Sequence, residues 1–575
     1  MNKAVHRFFW VAKRELLVVC GVIAAYSFLI FLWANFRGAI GVARNDDWVY
    51  LHMARWFADF GQFKVESGSM ANAFGLVILG QPTIKLFGYS IVNMQILEIV
   101  VGAVGLLATW LLLRSFLSFW MSAIGVLTLV ASPFWISTSV SFMTDVPAYS
   151  FQIVSLLFAV IAFRDKYRGI YWLAIGYFFS LAAFSVREYS IASGLAITAF
   201  FLLSRSQKVK QLRWKAVSLA VIWFCACLAL YYWRSNLENA ANFHGVLELG
   251  ALKESSIQAL RAICMLGFLL VPALLLASPA KKLKQLTFGQ KCISLIPSLI
   301  FTTVIVGLFR QRGLLFGNYF TPQGSYVETF PLGIAPNILP APIFDFITWA
   351  GVAALAYLMW LISIWYLIKY QEKSSHSRQT EIENVNEQVG LIGWYVTAML
   401  GTLIFVPLIT NAPLFDRYFI PVIPCLVSLV LYFIQQNQFT WVFGNKLSTL
   451  ALVCLGLISA IYVDSSFILD GLKWKAGSDL VQEGYSAETI DAGYEWFGYH
   501  QQVVADGRHI QPIRNWWITL YDSPQICASV GVGILDSQIN PNEIIHKYEV
   551  QNLVGTNFVV WSVDEHLNCT KNSSP

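Results

Sequence analysis

The chain has 575 residues, of which 57% are hydrophobic and only 13% charged, and its mean hydropathy is +0.59. A charged fraction about half the usual quarter excludes a soluble globular protein of this length. The formal charge of +6 is modest, and Lys and Arg cluster in a few short loops, which excludes a nucleic-acid-binding face.

Apolar runs of membrane-spanning length recur along most of the chain. In order they predict helices at 15–37, 91–113, 116–131, 146–163, 170–186, 189–204, 216–233, 260–278, 293–309, 346–368, 390–410, 418–435 and 447–465. Lys3, Arg7, Lys13 and Arg14 precede the first run, which is too long and lacks the small-residue cleavage site of a signal peptide, so it reads as a span. Basic loops at Arg114, Arg164–Arg168, Arg205–Lys215, Lys281–Lys291 and Lys369–Arg378 all fall on one side of the count. By the positive-inside rule that side is cytoplasmic. About thirteen spans then put the N-terminus inside and the tail outside. The expected fold class is an all-α polytopic membrane bundle over 1–465 with a small extracytoplasmic α/β or β-rich domain over 466–575, set in a bacterial plasma membrane.

The first external loop, 38–90, is the longest between spans, and its apolar part from Ala71 to Phe87 suits a helix lying in the membrane interface. The polar segment 371–389 reads as a cytoplasmic linker. In the tail, Asn557–Val563 is β-prone, and Tyr494, Glu495, Trp496, Phe497, Tyr499, Trp516 and Trp517 form a dense set, read as a small core or as a stacking platform for a sugar. Seven cysteines lie in or beside apolar runs; only Cys527 and Cys569 fall in the tail, where an oxidising compartment would let them pair.

Charges at outer span ends are informative because hydrocarbon penalises them. Asp46 and Asp47 follow the first span closely, with Tyr50, His52 and Arg55 downstream. A carboxylate within reach of an attacking hydroxyl is the usual general base, and a second can orient an acceptor, pair with Arg or bind a cation. The plain alternative is helix capping. Asp145, with Pro147 after it, opens the fourth span and offers the same two readings. Arg187 and Glu188 sit in a turn with almost no loop, either as a mutual ion pair or with Arg187 on an anionic ligand. Asp416 and Arg417 open the twelfth span, where a guanidinium can offer bidentate donors to phosphate or snorkel to headgroups. Lys85, Arg310, Arg312 and Tyr319 complete the outer candidates. No Walker loop, dinucleotide fingerprint or zinc-spaced Cys/His cluster is present.

Three of these elements, Asp46-Asp47 with Tyr50, Thr144-Asp145-Val146-Pro147 and Arg417-Tyr418-Phe419-Ile420-Pro421, resemble in order and sidedness the motifs of the GT-C membrane glycosyltransferases. In particular they resemble the branch that holds the protein O-mannosyltransferases and the lipid A aminoarabinose transferase, and the likeness covers roughly residues 10–465 in layout. The resemblance implies inverting transfer of a sugar from a polyprenyl-phosphate donor to a lipid, glycan or protein acceptor. It makes Asp46 the base, with Asp47 and Asp145 as catalytic partners, and puts Arg417, Lys85 and Arg187 near the donor phosphate. Tyr50, His52, Arg55, Glu188, Tyr319 and Asp416 are the expected substrate-binding set. Asp rather than Glu at position 47 and an unmatched tail leave acceptor and metal open; a divalent cation, Mg or Mn, would rest on Asp46 and Asp145. The alternative is a transporter or flippase of a lipid-linked glycan, which calls for ionisable residues near the midplane and often internal repeats.

Overall fold

The computed structural model describes residues 13–66, 69, 71–165, 167–238, 249–309, 319–324, 330–374, 387–410, 414–441, 443–501, 515, 517, 526–533 and 544–565. The chain opens with α1 (Lys13–Phe36), α2 (Asp47–Phe60), α3 (Phe74–Phe87), α4 (Ile91–Arg114), α5 (Phe119–Val130) and α6 (Pro133–Thr138). It continues through α7 (Asp145–Arg164), α8 (Gly169–Val186), α9 (Ile191–Leu203), α10 (Arg213–Ser235), α11 (Leu249–Leu274) and α12 (Phe288–Phe309). The last helices are α13 (Ala341–Ser374), α14 (Glu387–Thr410), α15 (Val422–Gln436), α16 (Gly444–Gln482) and α17 (Tyr494–His500).

Every expected span is a helix, and the interfacial segment of the first loop forms α3. Ten helices among the described residues are long and apolar enough to cross a membrane. The expected spans α5, α9 and α15 have only 12, 13 and 15 residues. At 1.5 Å per residue such helices fall short of a hydrocarbon core about 30 Å thick. Each abuts a break in the long helices: 131–144, which holds the short α6 and leads to Asp145, and the turns at 187–190 and 414–421, which hold Arg187 and Arg417. The apolar run overstated helix length there because the flanking turns are apolar too.

The helices sort by what surrounds them. In α7, 89% of the apolar window is buried, since α4, α8 and α9 pack around it. In α1 the figure is 17%, and Leu17, Phe28, Leu29 and Phe36 stand exposed, as suits a bundle edge facing lipid.

α16 runs without a break through residue 466, so the tail grows from a membrane helix rather than from a linker. Its sheet contains β1 (Leu332–Ile334), β2 (Ile490–Asp491), β3 (Ala528–Gly533), β4 (Ile544–Gln551) and β5 (Asn557–Asp564). The order is β1-β3-β5-β4, with β2 also paired to β3. β3–β5 and β5–β4 are antiparallel, whereas β1, from the segment between α12 and α13, joins β3 in parallel. The sheet is thereby tied to the bundle at two distant points. Cys527 is disulfide-bonded and the seven other cysteines of the described residues are free. Cys569, Trp516, Arg310 and Arg312 lie outside the described residues.

Two ion pairs fix the segment after α1 to α16. Arg37 donates to both oxygens of Asp464 at 2.7 and 2.9 Å. Arg44 donates from Nε to Asp470 at 2.7 Å, and from its other nitrogens to the Ser137 carbonyl and to the hydroxyls of Ser137 and Ser466. Between them Gly38 and Gly471 touch: a Cβ on Gly471 would stand 2.5 Å from the Arg37 carbonyl oxygen. The Trp474 indole closes the contact on the Ala43 carbonyl at 2.9 Å.

Removing one partner of a buried, hydrogen-bonded pair leaves an unpaired charge in a dry site, at a cost of about 3–5 kcal/mol. Arg44→Met is expected to lower the thermal unfolding midpoint markedly in detergent, with Asp470 stranded. A midpoint within error of the parent protein would show that the pair contributes nothing to holding the loop.

Candidate functional site

The site is assembled from three stretches of chain far apart in sequence. Asp46 precedes α2, Asp145 opens α7, and Arg417 lies in a 3-10 turn (Asp416–Phe419) before α15. The Arg417 guanidinium donates from Nη2 to Asp46 Oδ2 at 2.9 Å, and its Nε stands 3.6 Å from Asp145 Oδ2. Its side chain is 2% exposed, Asp145 is fully buried, and Asp46 remains 33% exposed. One carboxylate of the pair thus faces solvent and the other the interior.

Capping, the plain alternative for both acids, is not what they do. Asp46 occupies the position before α2 and Asp145 the first turn of α7, yet no side-chain capping bond is made at either helix start. Neither Asp145 oxygen has a hydrogen-bond partner. A buried carboxylate with spare acceptor capacity is costly in a purely structural role.

Asp47 turns the opposite way. It is fully buried, accepts the Arg44 backbone N–H at 2.6 Å, and lies within electrostatic range of Asp470 and Glu495. Burial pushes its carboxyl well above the usual range, against that N–H. The structure therefore brings Asp46 and Asp145 together and sends Asp47 into the contact between first loop and tail.

Around Arg417 lies an aromatic and cationic shell. The Arg187 guanidinium is 5% exposed and sits 4.5 Å from the centre of the Tyr418 ring and 5.7 Å from that of Tyr189. No ion pair within 4.0 Å joins it to a carboxylate among the described residues, so a mutual pair with Glu188 is not formed. Glu188 instead accepts the Asn72 backbone N–H and faces Arg234, which donates to the Ser69 and Ala71 carbonyls. Tyr50 is buried within electrostatic range of Arg187, Asp46, Asp145 and Arg417, and burial raises its phenol.

Tyr319 and Asp416 position this shell. Asp416, fully buried, accepts the backbone N–H groups of Tyr319, Phe320 and Arg417 at 3.0, 3.0 and 2.8 Å. The Tyr319 ring faces Arg417 at 5.3 Å, and its hydroxyl accepts from Asn45 Nδ2 at 3.2 Å. Asn45 itself adopts φ +53°, a left-handed conformation that Asn tolerates better than most residues. That turn directs Asp46 toward Arg417.

The remaining candidates lie elsewhere. His52 reaches the Tyr499 carbonyl at 3.2 Å and packs on Trp48 and Tyr499, and burial lowers its imidazole. Arg55 is exposed, 3.8 Å from Asp59 and over the Tyr89 ring. Lys85 is exposed on α3 and makes no contact with the cluster among the described residues. The tail aromatics Trp496, Tyr499 and Tyr494 pack with Trp474, His500 and Trp48 into a core between tail and α2.

Sequence reasoning gave no role of their own to Asn45, Arg44 and Glu98. Glu98 is fully buried on α4 within electrostatic range of Asp145 and Asp47. A lone acid inside an apolar span was the available signal for it.

A family model described as dolichyl-phosphate-mannose-protein mannosyltransferase matches residues 79–233, a stretch that holds Asp145 and Arg187. A search of curated proteins finds no match. Among solved structures, the chain is similar to ArnT from Cupriavidus metallidurans in the apo state at 12% identity, covering 94% of this chain and 97% of that one, TM-score 0.38. The same protein bound to undecaprenyl phosphate gives 12%, 96%, 98% and 0.37. Archaeal oligosaccharyltransferase AglB from Archaeoglobus fulgidus, in complex with an inhibitory peptide and a dolichol-phosphate, gives 15% identity, 86% and 60% coverage and TM-score 0.39. The stretch that is similar to this membrane mannosyltransferase family spans 155 residues, 79 to 233 inclusive, of the 575.

Proposed function

We propose that the chain transfers a sugar from a polyprenyl-phosphate donor to a hydroxyl of a lipid, glycan or protein acceptor at the outer membrane face, with inversion. The observation that carries this reading is Arg417 standing between Asp46 and Asp145, with a second buried cation, Arg187, beside it. The acceptor oxygen attacks the anomeric carbon, its proton passes to Asp46, and the bond from that carbon to the phosphate oxygen breaks. Asp46 is the member of the pair that an acceptor can reach, because it alone is partly exposed.

Charge balance supports the same assignment. With both acids ionised, Asp46, Asp145, Arg187 and Arg417 sum to zero. Once Asp46 takes the proton the set carries one net positive charge, at the moment the leaving phosphate gains its negative one. Preorganised cations at a developing charge are the electrostatic half of such catalysis. ArnT and AglB structures hold polyprenyl phosphates, which agrees with this donor class.

A divalent cation on Asp46 and Asp145 fits poorly. Arg417 already lies between them, and no group of three or more His, Cys, Asp or Glu suited to hold a metal occurs among the described residues. No step is assigned to one.

Asp46→Asn and Asp145→Asn are expected to reduce transfer from a radiolabelled polyprenyl-phosphate sugar in proteoliposomes by about 10²–10⁴-fold, the range for loss of a positioned base. Full activity in both variants, at equal expression, would falsify the assignment. Asn45 provides a second check through geometry alone. Asn45→Val forces a β-branched residue into the left-handed region at about 1–2 kcal/mol and misdirects Asp46, whereas Asn45→Gly keeps the turn. The turnover number is expected to collapse in the Val variant and to be largely kept in the Gly variant; equal turnover in both would show that this turn does not aim the base.

A further inference from the structure

The turn between β4 and β5 carries two exposed aliphatic residues where a solvated hairpin tip favours Asn, Asp and Gly. Leu553 is 57% and Val554 52% exposed. The turn around them is rigid. Asn552 Oδ1 accepts the backbone N–H groups of Val554 and Thr556 at 3.0 and 2.8 Å, and Gly555 N–H returns to the Asn552 carbonyl at 3.0 Å.

That rigid tip is fastened at a definite level of α16. Asn552 Nδ2 donates to Ser465 Oγ at 3.1 Å, and the Leu553 N–H donates to Asp464 Oδ2 at 3.0 Å. Asp464 is the partner of Arg37 and of the Trp33 indole, so the tip stands beside the last turn of α1, where that membrane helix ends at Phe36. From there β4 climbs α16 away from the bundle: Tyr548 donates to Asp479, and His546 meets Glu483 at 2.8 Å. The tip is therefore the bundle-proximal end of the tail sheet. Next to it, α1 exposes Leu32 and Phe36, at 43% and 81%, continuous with its lipid-facing side.

We propose that the β4–β5 turn is a membrane-docking tip: Leu553 and Val554 enter the headgroup and upper acyl region of the leaflet at the site-bearing end of the bundle and hold the tail sheet against it. The occupant is lipid because the two side chains continue an apolar surface that already faces lipid, at the depth where α1 leaves it. A Trp and an Arg at this level, Trp33 and Arg37, are the residue types found at that boundary. The inference is independent of the sugar-transfer reading.

The test uses the full chain in phosphatidylcholine vesicles with dansylalanine incorporated at position 553 or, as a reference, at position 547, roughly 20 Å further along the strand. Leu553 and Lys547 are both exposed, so neither probe disturbs packing. Emission from 553 is expected to be blue-shifted and to be lost when lipids bearing a nitroxide at the headgroup or upper acyl chain are included, with neither effect at 547. Equal quenching at both positions, or none at 553, overturns the proposal. A blue shift at 553 without quenching by lipid nitroxide also overturns it, since the tip would then be covered by protein.

Discussion

A buried guanidinium decides how this end of the bundle is built. Arg417 at 2% exposure would be prohibitive without its two carboxylate partners. Each therefore requires the others, and the requirement joins the segment between α1 and α2, the start of α7 and the turn before α15. Asp416 adds the fourth segment by drawing the backbone of Tyr319 and Phe320 onto the same turn. The short helices α9 and α15 abut the turns that present Arg187 and Arg417.

The tail belongs to the same construction. Because α16 passes unbroken from bundle to tail, Asp464, Asp470 and Lys473 lie on one rigid rod, and each meets a different part. Asp464 holds Arg37 and the β4–β5 turn, Asp470 holds Arg44, and Lys473 pairs with Glu495 of α17 at 2.5 Å. Asp46 is thereby fixed from two sides, by Arg417 across the site and by the Arg44–Asp47 turn behind it. In the proposed transfer such a fixed carboxylate favours proton transfer in a defined geometry.

Much of this was legible in the sequence, for identifiable reasons. Helix positions followed from apolar runs, and Asp46, Asp145 and Arg417 from the rarity of charge at span ends. Of the Asp46–Asp47 doublet only Asp46 meets Arg417, because successive residues at a helix start point about 100° apart. Long-range pairs such as Arg44–Asp470 were not legible, because nothing local in RNDD or in LDGL announces a partner more than 400 residues away. The aromatic cluster of the tail turned out to be packing between α17, α16 and α2, where sequence alone had left core and sugar platform both open.

The proposed sugar transfer requires Arg187 and Arg417 to receive the donor phosphate. Its most direct test is the affinity of a polyprenyl monophosphate for the purified chain in nanodiscs, compared among the parent protein, Arg187→Gln and Asp145→Asn. Arg187 has aromatic rather than acidic neighbours in contact, so its loss removes an available cation without freeing a carboxylate from an ion pair. A charge-assisted contact of about 1.5–3 kcal/mol predicts a loss of affinity of roughly 10–100-fold in Arg187→Gln, and retained affinity in Asp145→Asn. Unchanged affinity in Arg187→Gln, or a larger loss in Asp145→Asn, would rule out a phosphate site at these two arginines.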